Sequence, residues 1–462
     1  MIGSQAAGRV PAADLARRTS AGALWCARTI LYLVVAASVG ARGGDDAGFV
    51  RLLANGRAIL AAHELSGRFD ALSSVLYAAV EQGAGRAGVV AFGAICAIGM
   101  LVLVEAQARE RGANPTAALA VAALTAAVSA GTLTADGGSF AWLAAAAFVF
   151  TLAGTEKQRW LVAVPLAWAW AASSWIGVAA PVLALAALLG RRDDRALFAI
   201  LGGSALAIFA TPAGLDLPRE ALAQLSLAGA AGKVLAWQPD VVSSVAYRFG
   251  LIPIVVALVW FRLSRLGDLP LVAVALTLSL AAGTAMPLAG IVILPCLAGD
   301  SGLPVDRESV RRLPAWHALG VALLCALLAP LVLVSRTAPS DAEAALPQAL
   351  IEALAARPAG RTVVACAPAK WCALVEALGR NDLRAFVSDR IGSQTEEHLL
   401  DQIAIAHVRP TWRVAIARNG IGAILVANGQ GLATLLSLQP DWHAAARGER
   451  ATLYLRAERA PR

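Results

Sequence analysis

Ala21-Gly-Ala-Leu-Trp-Cys-Ala-Arg-Thr-Ile-Leu-Tyr-Leu-Val-Val-Ala-Ala-Ser-Val-Gly40 supplies the ~20 apolar residues that one helical crossing of a bilayer requires. A basic leader with Arg9, Arg17 and Arg18 precedes it, and no small-residue cleavage site that clearly fits a signal peptidase follows. The run therefore reads as a retained first helix rather than a removed signal, with its N-terminus in the cytoplasm. Arg28 inside the run must snorkel or face protein.

The rest of the chain extends this pattern. Of 462 residues, 58% are hydrophobic and only 15% charged, and the mean hydropathy is positive, which does not describe a soluble protein. Further spans are expected near 89–107, 115–135, 138–154, 160–175, 176–190, 196–211, 248–263, 268–284, 285–299 and 314–335, about eleven in all. An odd number starting inside sends alternate loops to opposite sides. The loops holding Arg109/Arg111, Lys157/Arg159, Arg191/Arg192/Arg195, Arg262/Arg265 and Arg307/Arg311/Arg312 then all fall in the cytoplasm, while the intervening 136–137 and 284–285 carry no Lys or Arg. In the pairs 160–190 and 268–299 each half is short, so either pair could instead be one long or broken helix. The net charge of +8 is spread in small groups beside apolar segments, which argues for topology signals and against nucleic acid.

Three domains follow: a cytoplasmic leader (1–20), an α-helical polytopic membrane domain (21–335) with outer loops at 41–88 and 212–247, and a C-terminal α/β domain (336–462) placed outside by helix parity. In the first outer loop Phe49, Leu52, Leu53, Ile59 and Leu60 recur at helical spacing, predicting a helix along the outer surface. After Arg336, short buried strands are expected at 362–365, 385–387, 423–426 and 451–455. Helices are expected near 343–356, 369–378, 395–406, 411–418 and 430–438.

Few residues offer chemistry. No His, Cys, Asp and Glu cluster has metal-ligand spacing, so no cofactor is expected, although Asp45 and Asp46 side by side could hold a divalent cation. That pair directly follows the first helix. One carboxylate raises the pKa of the other and could serve as a general base, against the plainer reading of a solvated turn. Cys366 and Cys372, six apart, are compatible either with a disulfide in an oxidising compartment or with two buried small side chains. Trp237 and Gln238, in Val234-Leu-Ala-Trp-Gln-Pro-Asp240, could stack on and bond to a saccharide, although an interfacial Trp anchor is the commoner use.

The outer loop Asp46-Ala-Gly-Phe-Val-Arg-Leu-Leu-Ala-Asn-Gly56-Arg-Ala-Ile-Leu60, followed by Asp70-Ala-Leu-Ser73, resembles a segment of bacterial membrane glycosyltransferases of the GT-C type, the mannosyltransferase and RgtA/B/C/D-like group. Thr211-Pro-Ala-Gly-Leu215, Trp237-Gln-Pro239, Met286-Pro-Leu288 and the tail motifs Ser388-Asp-Arg390, Ile421–Val426, Trp442 and Leu453-Tyr-Leu-Arg456 fall in the family's order, over nearly the whole chain. The motifs are short and degenerate. Gly48 stands where relatives carry a second acid, Val50-Arg-Leu52 replaces an aromatic-His pattern, Ala172–Ser174 replaces a polar step, and Ala236 replaces an acid.

The resemblance implies sugar transfer from a polyprenyl-phosphate donor to a cell-envelope acceptor at the outer face of the inner membrane. It implies Asp46 as general base with Asp45 as its partner, Arg51 and Arg68 as phosphate or acceptor contacts, and a lipid-linked sugar and membrane lipid as partners. The alternative is a catalytically inactive GT-C-fold scaffold that binds glycan or lipid. A transporter is disfavoured by the near absence of acidic residues in the spans.

Overall fold

A computed structural model of the chain describes residues 12–42, 47–62, 70–129, 132–133, 137–191, 194–226, 266–281, 285–298, 350, 353–354, 362–378, 382–387 and 394–457. These form a mostly helical body and a small sheet domain at the C-terminal end. The expected spans at 248–263 and 314–335, and the boundary at 336, lie outside the described residues.

Helix α1 (Ala12–Arg42) packs antiparallel to the second limb of α3 (Ala71–Glu110), as the approach of Gly40 to Val90 and of Arg28 to Glu105 shows. Between them lies α2 (Ala47–Ala62), the amphipathic helix expected from its apolar spacing; Leu52, Leu53 and Ile59 are its buried stripe. Helix α3 is two limbs. Gly85 adopts φ +66°, ψ −170°, a conformation that glycine alone takes without strain, and the bend brings the Tyr77 and Phe92 rings edge to face at 5.1 Å. The first limb carries α2 and the second enters the bundle.

The bundle continues through α4 (Pro115–Val128), α5 (Gly138–Ala153), α6 (Trp160–Ala171), a 3₁₀ turn (Trp175–Val178) leading into α7 (Ala179–Gly190), α8 (Arg195–Phe209) and α9 (Asp216–Ser226). After a gap come a 3₁₀ turn (Leu266–Asp268), α10 (Leu269–Ala281), a π-turn (Ala289–Ile293) and α11 (Leu294–Ala298). Asn114 and Asp194 accept hydrogen bonds from Ala117 N and Ala196 N, satisfying free amides at the starts of α4 and α8. Buried Ala, Gly and Thr side chains let helices approach closely. Thr125 Oγ1 donates to Gly290 O at 3.1 Å, and a Cβ on Gly290 would lie 2.7 Å from the Thr125 methyl.

The two ambiguous pairs resolve as hairpins. Arg159, just ahead of α6, and Arg191, just after α7, line one cavity, so the chain goes out and returns between them. Asp268 lines the same cavity ahead of α10, while Cys296 in α11 lies beside Arg111 at that end, and Ser279 Oγ donates to Ala285 O across the reversal. Helix α6 has 12 residues and rises only about 18 Å, which explains why its half of the pair looked too short.

Among the described helices, Gly22–Gly40 and Ala71–Glu110 are long and apolar enough to cross a membrane, and six shorter helical segments are predominantly apolar. Trp25, Leu33, Ile95, Leu161, Phe198 and Leu206 face outward, an apolar exterior suited to lipid rather than water. Arg28 faces protein: its Nε donates to Glu105 Oε2 at 3.1 Å, a second guanidinium nitrogen contacts Oε1, Tyr32 donates at 3.4 Å, and Arg109 donates at 2.6 Å.

The C-terminal sheet has strand order β2-β1-β3-β5-β4, comprising β1 (Thr362–Ala367), β2 (Leu383–Ala385), β3 (Ile421–Ala427), β4 (Trp442–Arg447) and β5 (Ala451–Arg456). Strands β2, β1 and β3 are parallel, with Cys366 level with Leu425; β5 and β4 add on antiparallel, with Val426 level with Thr452. Successive side chains of β1 go to opposite faces. Ala365 and Ala367 join the core made with α13 (Glu396–Ala406), α14 (Trp412–Arg418) and α15 (Gly431–Ser437), while Val364 and Cys366 join that of α12 (Cys372–Ala377). Strand β4 was not expected: His443 and Arg447 point to solvent from an edge, so it lacks the continuous apolar run of its neighbours. The expected strand at 385–387 is shifted to 383–385, because its ladder to β1 begins at Leu383 opposite Thr362. Of the expected helix at 343–356, only Leu350, Ala353 and Leu354 are described.

Candidate functional site

The end of the bundle that carries α2 gathers buried polar groups. A Cβ on Gly56 would lie 2.0 Å from Ser74 O and 2.6 Å from the Ala78 methyl, so only glycine lets α2 rest this closely on the first limb of α3. At the next residue, Arg57 Nε donates to Glu81 Oε2 at 2.9 Å and fixes the register.

Beneath α2, Arg51 Nη2 lies 3.7 Å from Asp70 Oδ2. Asp70 is the residue before α3; its carbonyl accepts from Ser73 Oγ (3.0 Å) and Ser74 N (2.9 Å), while its side chain is 10% exposed. Asn55 and Ser74 are buried beside them, and Asn55 Nδ2 and Ser74 Oγ have no hydrogen-bond partner among the described residues. Gly137, with φ +95°, brings the start of α5 against Ser73 and Leu52, and Leu72 N donates to Ala172 O in the α6–α7 reversal. A guanidinium, a carboxylate, an amide and a hydroxyl thus share one partly dry patch. Such a set can hold an oxyanion and hydroxyls together, the guanidinium meeting negative charge and the carboxylate accepting from hydroxyl.

The C-terminal domain docks here. Helix α12 and the turn before it, Ala369–Trp371, lie against α2. Cys366 and Cys372 form a disulfide with Cα atoms 5.5 Å apart, which ties the end of β1 to the start of α12 and resolves the alternative left open by their spacing.

Of the sequence-selected residues, Arg51 is described and belongs to this patch. Asp45, Asp46, Arg68, Trp237 and Gln238 lie outside the described residues; Asp46 immediately precedes α2 in the chain. Asp70, Asn55 and Ser74 were not selected as site residues. The signal for Asp70 was available, since it opens the Asp70–Ser73 turn already singled out, whereas burial of Asn55 and Ser74 depends on Gly56. Among the described residues no three His, Cys, Asp or Glu side chains converge as a metal-binding group.

The opposite end gathers charged groups of both signs. Arg111, Arg159 and Arg191 line a cavity of about 550 Å³ together with Asp268. Arg111 Nε pairs with Asp268 Oδ2 at 3.5 Å, and its Nη1 donates to the Gln107 side-chain oxygen at 2.7 Å when that amide donates to Ile291 O. Arg159 pairs with Asp194. Arg191 Nη1 reaches Ala153 O at 3.5 Å, and burial lowers its pKa below the usual guanidinium value. Three of the loops that the arginine pattern assigned to one side, those holding Arg111, Arg159 and Arg191, meet at this end.

No family model and no curated protein matches the chain. Among solved structures, ArnT from Cupriavidus metallidurans bound to undecaprenyl phosphate aligns with 96% of this chain and 99% of its own, at 13% identity and a TM-score of 0.48. The apo state of the same protein aligns with 94% of this chain and 98% of its own, at 12% identity and a TM-score of 0.42.

Proposed function

We propose that this chain transfers a sugar from a polyprenyl-phosphate donor to a cell-envelope acceptor at the outer face of the inner membrane, its N-terminus cytoplasmic and its C-terminal domain periplasmic. The observation that carries the reading is the Arg51–Asp70 pair, largely removed from solvent beside buried Asn55 and Ser74 beneath α2, at the end of the bundle on which the α/β domain docks. The order of sequence motifs over the whole chain supports it independently.

In this reading Asp46, which leads into α2, is the general base that takes the acceptor proton as its oxygen attacks the anomeric carbon; the phosphate leaves with the electrons of the broken bond. Asp45 tunes its neighbour. Arg51 and Arg68 hold the donor phosphate, whose charge grows as it departs, and Trp237 and Gln238 contact the saccharide. The lipid tail stays among the apolar outer faces of the helices.

The test is transfer of labelled sugar from polyprenyl-phosphate donors by the purified full chain in vesicles. Asp46→Asn should lower the rate by about 10²–10⁴-fold. Undiminished transfer by Asp45→Asn, Asp46→Asn and the double variant would remove those residues from the mechanism. No transfer by the wild type from any such donor would leave a non-catalytic scaffold.

A further inference from the structure

We infer that α9 is a membrane-interface helix, whose stripe of Leu215, Leu222 and Leu225 inserts into the hydrocarbon border of the leaflet at the α2 end of the bundle. The inference is independent of the proposed transfer reaction.

Helix α9 has 11 residues, rises only about 16 Å and carries Asp216, Arg219 and Glu220, so it cannot cross a bilayer. At about 100° per residue its side chains sort into three sectors rather than two. In the first, Leu217, Ala221 and Gln224 are buried, on a helix that packs against the Trp175–Val178 turn. The second holds Asp216, Arg219 and Glu220; Arg219 Nη1 meets Asp216 Oδ1 at 3.4 Å, and both of those side chains are more than three-quarters exposed. The third holds Leu222, 67% exposed, and Leu225, and Leu215 on the turn leading into the helix continues it at 65%. A single exposed leucine is ordinary. Three on one side of a helix, next to a charged side, suit a boundary between two solvents.

Position identifies the second solvent as hydrocarbon. Helix α8 begins beside Asp194, which pairs with Arg159 at the far end of the bundle, and its Phe198, Leu206 and Phe209 belong to the apolar exterior. The exterior resumes at Leu215, so the stripe on α9 extends a surface that already faces lipid. Between the two, Trp168 Nε1 donates to Ala210 O at 3.2 Å, which sets an indole at the level where α8 ends. An aromatic ring with an apolar body and a bonded N–H marks the membrane–water boundary in this way. The seat of α9 adjoins the α6–α7 reversal, where Ala172 O accepts from Leu72 N just after Asp70, so the lipid contact reaches the head of α3.

The experiment photolabels the full wild-type chain in nanodiscs of phosphatidylcholine and phosphatidylglycerol. Two diazirines are used, one carried on an acyl chain near the headgroup and one soluble in water, and adducts are mapped by peptide mass spectrometry. Leu206 and Phe209 set the ratio of lipid to water adducts for a lipid-facing side chain. Leu215 and Leu222 should approach that ratio, while Asp216 and Arg219 should carry water adducts. Leucines labelled from water as strongly as Arg219 would overturn the inference. So would protection of both leucines from both reagents, which would mean that protein covers the stripe, either a second copy or another segment of this chain. Depth supplies a second measurement. A fluorophore on Leu222→Cys, with exposed Cys26 changed to Ser, should lie ~5–10 Å below the headgroup boundary when shallow and deep nitroxide lipids are compared. A fluorophore that reports bulk water at that position would overturn the inference as well.

Discussion

Arg51 on α2 and Asp70 at the head of α3 are joined across 3.7 Å, and both are largely removed from solvent. This pair links the surface helix to the bundle, and Asp70 also organises the first turn of α3 through its carbonyl.

Asp70→Asn keeps the shape and removes the carboxylate that faces Arg51 Nη2. Breaking a largely buried pair typically costs about 3–5 kcal/mol when the remaining charge is uncompensated, and less where water reaches it. Because the Arg51 side chain retains 18% exposure, a loss of about 1–3 kcal/mol is expected in thermal or denaturant unfolding of the detergent-solubilised chain. In the transfer assay the same variant should raise KM for the lipid-linked donor, since Arg51 loses its fixed position. Unchanged stability and KM would show the pair to be incidental.

Gly56→Val tests the seat of α2. Even a single Cβ meets Ser74 O at 2.0 Å, and that oxygen belongs to backbone that cannot swing aside. Overpacking of this kind costs about 1–3 kcal/mol or more. Engineered cysteines at Arg57 and Glu81, which touch in the native chain, should then cross-link less readily than in a Gly56 background.

Glu105 is the acceptor for Arg28, Arg109 and Tyr32 at once. Glu105→Leu should reduce the amount of folded protein in membranes, because it leaves Arg28 without its acid among apolar helices; about 3–5 kcal/mol is the usual scale. Arg28→Leu combined with Glu105→Leu should recover much of that loss. A double variant no better than the single one would mean that the pair does more than cancel charge.

The Cys366–Cys372 bridge closes a short loop in the domain assigned to the periplasm. Without reductant neither thiol should react with alkylating reagent even after unfolding, and reduction should expose both. Replacing both by Ser should cost about 2 kcal/mol by loop-closure entropy. Free thiols at both positions in protein isolated from cells would place this domain in a reducing compartment and invert the topology.

Much of this architecture was legible before any coordinates, because lipid imposes long-range simplicity on sequence. Apolar runs had to become helices, since a backbone in hydrocarbon must satisfy its own hydrogen bonds, and Arg-bearing loops had to collect at one end. The α2 stripe followed from a period of 3.6, and the strands β1, β3 and β5 from short continuous apolar runs. What tertiary structure alone decided depends on distances between remote residues. Whether 160–190 is one helix or two turned on Arg159 and Arg191 meeting at one cavity. Glu105 as the partner of Arg28 required two helices to pass at one level. Asp70 became a buried carboxylate only because Gly56 admits α2 above it. A sequence states which side chains are charged; packing decides which of those charges are left without an answer.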